Sequence, residues 1–159
     1  MKLITTDTWD CVCAAFAMVM DTTVFELKER LCHSGKELVT EDVPPPEGWR
    51  SYHPEEFVDI LLQAGYSATM TSMSPMMIHG PKLINHAAFM GQERFFTNLL
   101  YGNGVVFGQL GKNGRGHAMA WDRETMKLYD PRGRIISWDE AGDFKPLQFF
   151  LIRRMSDGV

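Results

Sequence analysis

The sequence predicts an α+β fold, a helical first half packed on a C-terminal antiparallel β-sheet, on three observations. Helix signals crowd the chain up to Gly65. Short β-branched and aromatic runs dominate from Gly104 to Arg154. The turns between those runs are short, which suits an antiparallel meander.

The first helix starts near Asp10, whose carboxylate suits a helix cap. From Cys11 to Met20 it is apolar on every face, the pattern of an enclosed helix. In "TVFE", Thr23 to Glu26 form a capping box, and "ELKERL" carries the second helix to a stop near Gly35. "EDVPPPEGWR" reads as a stiff, extended loop. "SYHPEEFVDILLQAG" is a third helix, with Pro54 in its first turn, Phe57, Ile60 and Leu61 at helical spacing and Gly65 as its stop. A strand over Tyr66 to Met70, a Met-rich loop within "ATMTSMSPMMIHG" and a helix in "ERFFTNLLYG" follow. Strands then occupy "GVVFGQL", "HAMAWD", "KLYD", "RIISW" and "LQFFLIRR". No repeat or linker divides the 159 residues, so one domain over 1–159 is expected.

Composition excludes several functions. A net charge of −4 with scattered basic residues argues against nucleic acid, which needs clustered Lys and Arg. The densest basic group, Arg115, Arg132 and Arg134, flanks loops. Three cysteines is an odd count and fits free thiols in a reducing, cytoplasmic setting. The ten apolar residues from Cys11 are too few to span a bilayer, and Asp7 and Asp10 stand where a signal peptide carries basic residues. A short chain without leader or tail suits a bacterial or phage product.

The chemistry turns on "TWDCVCAAFAMVM". Cys11, Cys13, Cys32 and His33 invite a metal reading, but on a helix residues two apart point about 200° apart, so the C-x-C thiols diverge. No metal and no cofactor are therefore expected. Cys11, at the helix start, meets the positive end of the dipole and free N–H groups, which lower a thiol's pKa. It is the candidate nucleophile; Cys13 belongs to the core and Cys32 is a spectator. A nucleophile needs a base. Among five histidines, His33 and His53 sit near helix ends as surface or capping residues, and His79 and His86 fall in the Met-rich region. His117 opens the strand "HAMAWD", and thirteen residues later, past a hairpin turn, comes Asp130 in "LYDPRG". On paired strands the two are neighbours, so Asp130 can hold the ring in the useful tautomer. Trp9 and Trp121 are candidate walls of a substrate cleft, with core packing as the competing use of each.

"DCVCAAFAMVM" together with "GHAMAWD…LYDPRG" resembles the papain-like cysteine peptidase domains that process bacteriocin leaders in ABC exporters, and their small stand-alone relatives. Their signature is "DCGxAALAMVL". The resemblance implies a papain-like fold with the nucleophile at a central helix N-terminus, and carries over Cys11 as nucleophile, His117 as general base and Asp130 as orienting acid. Two positions depart from it. Val12 stands where the family has Gly, and "ITTDT" lacks the Gln that supplies an oxyanion donor upstream of the cysteine. Thr5 or Thr6 is then the candidate donor beside the Cys11 N–H; loss of one such donor costs on the order of 10²–10³ in rate.

The expectation is a cysteine-dependent hydrolase or acyl-transferase acting on peptide, isopeptide or related amide bonds, with a peptide or protein as substrate and no membrane partner. The competing reading is a papain-like binding module that has lost turnover and engages a protein partner.

Overall fold

The computed structural model describes residues 1–6, 8–38, 42, 50–73, 93–112 and 115–155. A single 3-10 turn, Thr8–Asp10, leads into α1, Cys11–Met20. Helices α2 (Val24–Leu31) and α3 (Glu56–Gln63) precede β1 (Tyr66–Ser72), and residues 93–99 form α4. The strands β2 (Gly104–Leu110), β3 (Arg115–Asp122), β4 (Lys127–Asp130), β5 (Arg134–Ile136) and β6 (Lys145–Arg154) complete a mixed α+β architecture.

All six strands join one antiparallel sheet in the order β1-β6-β2-β3-β4-β5. Strands β2 to β5 form the expected meander, but β6 returns to lie between β1 and β2. Its composition explains the place. Phe150 and Ile152 pack on one face and Phe149 and Leu151 on the other, so the strand is apolar on both sides and is buried from both.

The sheet separates two cores. On one face α1 lies across β3, its Phe16 ring stacked on Phe57 of α3 at 4.1 Å. The β3 residues facing it are Ala118 and Ala120, both fully buried. Small side chains there let the helix approach the strand, and a helix end placed at β3 brings Cys11 with it. On the other face Met119 and Trp121 of β3 pack with Phe95 and Leu99 of α4, Phe144 and Phe149.

Several boundaries differ from those the sequence suggests. The α2 helix ends at Cys32, which takes the left-handed C-cap conformation (φ 59°), three residues before Gly35. Asp10 occupies the N-cap position of α1 but its side chain makes no capping bond; its Oδ2 pairs with Lys28 Nζ at 2.6 Å instead. Strand β1 runs on to Ser72 and so absorbs the start of the Met-rich segment. Strand β3 begins at Arg115, which makes His117 its third residue. The triple proline, the Met-rich segment from Ser74 onward, His79 and His86 lie outside the described residues. Among the described residues no helix is long and apolar enough to cross a membrane.

Candidate active site

His117 and Asp130 meet as their spacing predicts. The β3–β4 hairpin pairs Ala120 with Tyr129, Trp121 with Leu128 and Asp122 with Lys127, and His117 Nε2 lies 2.9 Å from Asp130 Oδ1. Both are buried, Asp130 with no exposed surface at all. Strand alternation places the His117 ring on the Met119–Trp121 face, edge-on to Phe144 with ring centres 6.3 Å apart. Room for that phenyl ring comes from Gly108, opposite His117 on β2. A Cβ there would lie 2.3 Å from the Lys145 carbonyl and 2.6 Å from Phe144.

Cys11 meets β3 at Ala118, the residue next to His117. Continued by two residues, the β3–β4 register would set Ala118 opposite Pro131. The Pro131 carbonyl accepts instead from the Thr6 N–H at 3.0 Å. The backbone N–H groups of Ala118 and Val12 face the Cys11 sulfur closely enough to favour its charged form. The nucleophile candidate thus touches the strand one residue from His117. Among the described residues no hydrogen bond joins the sulfur to the imidazole.

The electrostatics correct one expectation. The helix start was expected to lower the Cys11 pKa, but burial pushes the thiol up, since only 6% of the residue is exposed. The Ala118 and Val12 N–H groups act against that rise, while Asp130 and Asp10 add to it. A thiol so held rests protonated and needs a base to become a nucleophile. Cys13 is pushed up to about 12, chiefly by burial and then by Asp10; its thiol donates to the Val24 carbonyl at 3.7 Å, as befits a core residue. Burial also opposes the charge on Asp130, yet the hydrogen bonds from His117 and Arg132 outweigh it and hold the carboxyl well below the usual carboxylate range.

The other candidates divide. Thr6 is tied through its backbone to Pro131, and the Thr5 methyl lies beside Gly133, so both run along the β4–β5 turn. Trp9 is half-buried, with Lys36 Nζ 4.4 Å from its ring centre and its carbonyl accepting from Ser51 Oγ. Trp121 is no cleft wall. It is 1% exposed, its Nε1 donates to the Leu99 carbonyl at 2.8 Å, and it belongs to the core beyond the sheet. His33 is half-buried rather than a surface residue, its side chain lying between Glu56 and Tyr52 at the ends of α2 and α3. Among the described residues no three His, Cys, Asp or Glu side chains are grouped to hold a metal ion.

Two residues went unassigned in the sequence. Arg132 donates to Asp130 from its backbone N–H (3.0 Å to Oδ1) and from Nε and Nη2 (3.0 and 2.8 Å to Oδ2). Arg134 adds Nη2 at 3.1 Å. The signal lay in "DPRGR", where two arginines follow the carboxylate at positions a tight turn can fold back. No family model matches the chain, and no curated protein matches it.

Proposed function

We propose that this protein is a papain-like cysteine hydrolase or acyl-transferase acting on peptide, isopeptide or related amide bonds, with Cys11 as nucleophile, His117 as base and Asp130 as its orienting acid. One observation carries the reading: a buried His–Asp pair on adjacent strands, one residue from the strand N–H that faces a cysteine at a helix start. Asp130 takes the Nε2–H of His117, which leaves the Nδ1 lone pair for the thiol proton. The sulfur, relieved of its proton, keeps the Ala118 and Val12 N–H groups as donors and attacks the substrate carbonyl carbon. The tetrahedral oxyanion collapses to a thioester. The amine leaves with the proton that His117 holds, and water or a second amine then takes the acyl group from sulfur.

A second reading, a binding module on the same scaffold, draws support from the deep burial of Cys11 and from the absence of the upstream Gln. A p-nitrophenyl ester of an acylated amino acid separates the two. The enzyme reading expects a burst of nitrophenolate stoichiometric with protein and a thioester located on Cys11 by mass spectrometry, both abolished in Cys11→Ala. Acylation confined to the exposed Cys32, unchanged by Cys11→Ala, would overturn it.

A further inference from the structure

The Asp130 carboxylate is more heavily served than a single histidine requires. Its Oδ1 accepts from His117 Nε2 and the Arg132 N–H, and its Oδ2 from Arg132 Nη2 and Arg134 Nη2, with Arg132 Nε between the two oxygens at 3.2 and 3.0 Å. A carboxylate with no exposed surface cannot recruit bulk water, so each of these donors replaces one that solvent would supply. Arg132 does this in an unusual way. Its backbone N–H and its guanidinium fork grip the same side chain from two residues away. The turn that permits it is closed by the Gly133 N–H on the Asp130 carbonyl (2.9 Å), with Gly133 at φ 96°. A bidentate guanidinium fixes the plane of a carboxylate as well as its charge. That plane decides where Oδ1 points, and Oδ1 is the atom that receives the His117 Nε2–H.

We propose that Arg132 is a positioning residue of the Cys11–His117–Asp130 site: it fixes the rotamer of Asp130, and through it the Nε2–H tautomer of His117 that presents Nδ1 to the thiol. The proposal rests on the catalytic reading above. The charged and titratable groups facing Asp130 are His117 from β3, Arg132 from the turn, Arg134 from β5 and Cys11 from α1. Arg134 makes a single contact from a half-exposed side chain and holds charge without setting the plane.

The test compares wild type, Arg132→Ala, Arg132→Gln, Arg132→Lys, Arg134→Ala and His117→Ala. The rate of Cys11 acylation by the p-nitrophenyl ester is followed from pH 4 to 9, with the His117 Nε2–H resonance followed by NMR. Arg132→Ala is expected to slow acylation by about 10- to 100-fold at neutral pH, the usual cost of losing a group that orients a reacting side chain. Its acid limb should also move to higher pH, because removing the guanidinium takes a positive charge from beside the His117–Asp130 pair and so favours the protonated pair. Arg132→Lys keeps the charge and should restore the acid limb but not the rate; Arg134→Ala should cost less than Arg132→Ala. If Arg132→Ala fails to fold, the Gln and Lys variants decide. Full rate, an unshifted acid limb and an unchanged Nε2–H signal in folded Arg132 variants would overturn the proposal while His117→Ala still abolishes acylation. A His117→Ala variant as fast as wild type would instead remove the catalytic reading itself.

Discussion

Among the described residues, two histidine–carboxylate–arginine clusters are built from the same parts, and they differ at the second nitrogen of the histidine ring. At the junction of α2 and α3, His33 Nε2 lies 2.7 Å from Glu56 Oε1, Arg50 Nη2 reaches the same oxygen at 2.6 Å, and the His53 N–H donates to Oε2 at 2.8 Å. On the sheet, Asp130 likewise takes a histidine Nε2, a guanidinium and a backbone N–H. The other ring nitrogen marks the difference. His33 Nδ1 is occupied on its own side, with the Gly35 N–H at 3.1 Å and Glu37 Oε2 at 3.4 Å. No described residue hydrogen-bonds to Nδ1 of His117, and Cys11 sits against the next residue on its strand. The first cluster is a clamp between helix ends. On the proposed reading, the second keeps a base in reserve. A histidine beside a carboxylate is therefore no sign of catalysis until the remaining nitrogen has been accounted for.

The largest expected effect breaks the comparison at the ring itself. His117→Ala should lower Cys11 acylation by about 10³-fold or more at neutral pH, the scale on which catalytic units fail when one member is removed. His33→Ala should leave the rate per folded molecule within a factor of about two and lower only the thermal midpoint. Stopped-flow acylation together with calorimetry on both variants reads the two axes separately. A slow His33→Ala enzyme would show that the clamp also communicates with the site.

An intermediate effect sharpens the comparison from the backbone side. Gly35 has φ 71°, and a Cβ there would lie 2.8 Å from the Tyr52 ring, which itself packs 5.0 Å from His33 between ring centres. Gly35→Ala adds left-handed strain, about 1–2 kcal/mol, to an overpacked contact. Urea unfolding should register a loss of about 2 kcal/mol or more, with acylation by the folded fraction unchanged. A loss of rate without a loss of stability would reverse the assignment of the two clusters.

What the sequence could and could not reveal follows the range of the interactions. The enclosed α1 helix, the Thr23–Glu26 capping box and the His117–Asp130 contact rest on local pattern or on one hairpin, and the structure has all three. Asp10 looked like a cap because position alone suggests one; the competing cation, Lys28, comes from a different helix. The place of β6 between β1 and β2 depends on pairings between residues far apart in the chain, such as Tyr66 with Arg154 and Gly104 with Leu151, and no local period encodes those. The Cys11 thiol departs from the local pattern for a related reason: the helix start is a local property, whereas burial under β3 is set by the whole fold. Arg132 was visible as a basic residue and unreadable as a clamp until the Asp130–Gly133 turn folded it back.

The smallest expected effect separates the clusters by pH. Burial raises Glu56, but the His53 N–H, His33 and Arg50 outweigh it and bring its pKa below the ordinary 4.5. Asp130 is likewise depressed, from an ordinary 3.8. A depressed carboxyl contributes its stability in full above the unfolded value and loses it as pH falls through the folded one. The Glu56 contribution therefore starts to fade near pH 4.5, while that of Asp130 holds until pH 3.8. Glu56→Gln keeps an oxygen for His33 and Arg50 but cannot ionise. It should cost about 1 kcal/mol at pH 7, and the gap to wild type should narrow on acidification, beginning between pH 4.5 and 3.8. Thermal melts of the two proteins across that interval measure the difference directly, and the exposed carboxylates they share cancel from it. A gap that stays constant down to pH 3 would mean that the Glu56 charge contributes nothing to the clamp, leaving its hydrogen bonds and the packing of His33 on Tyr52 to join the two helices.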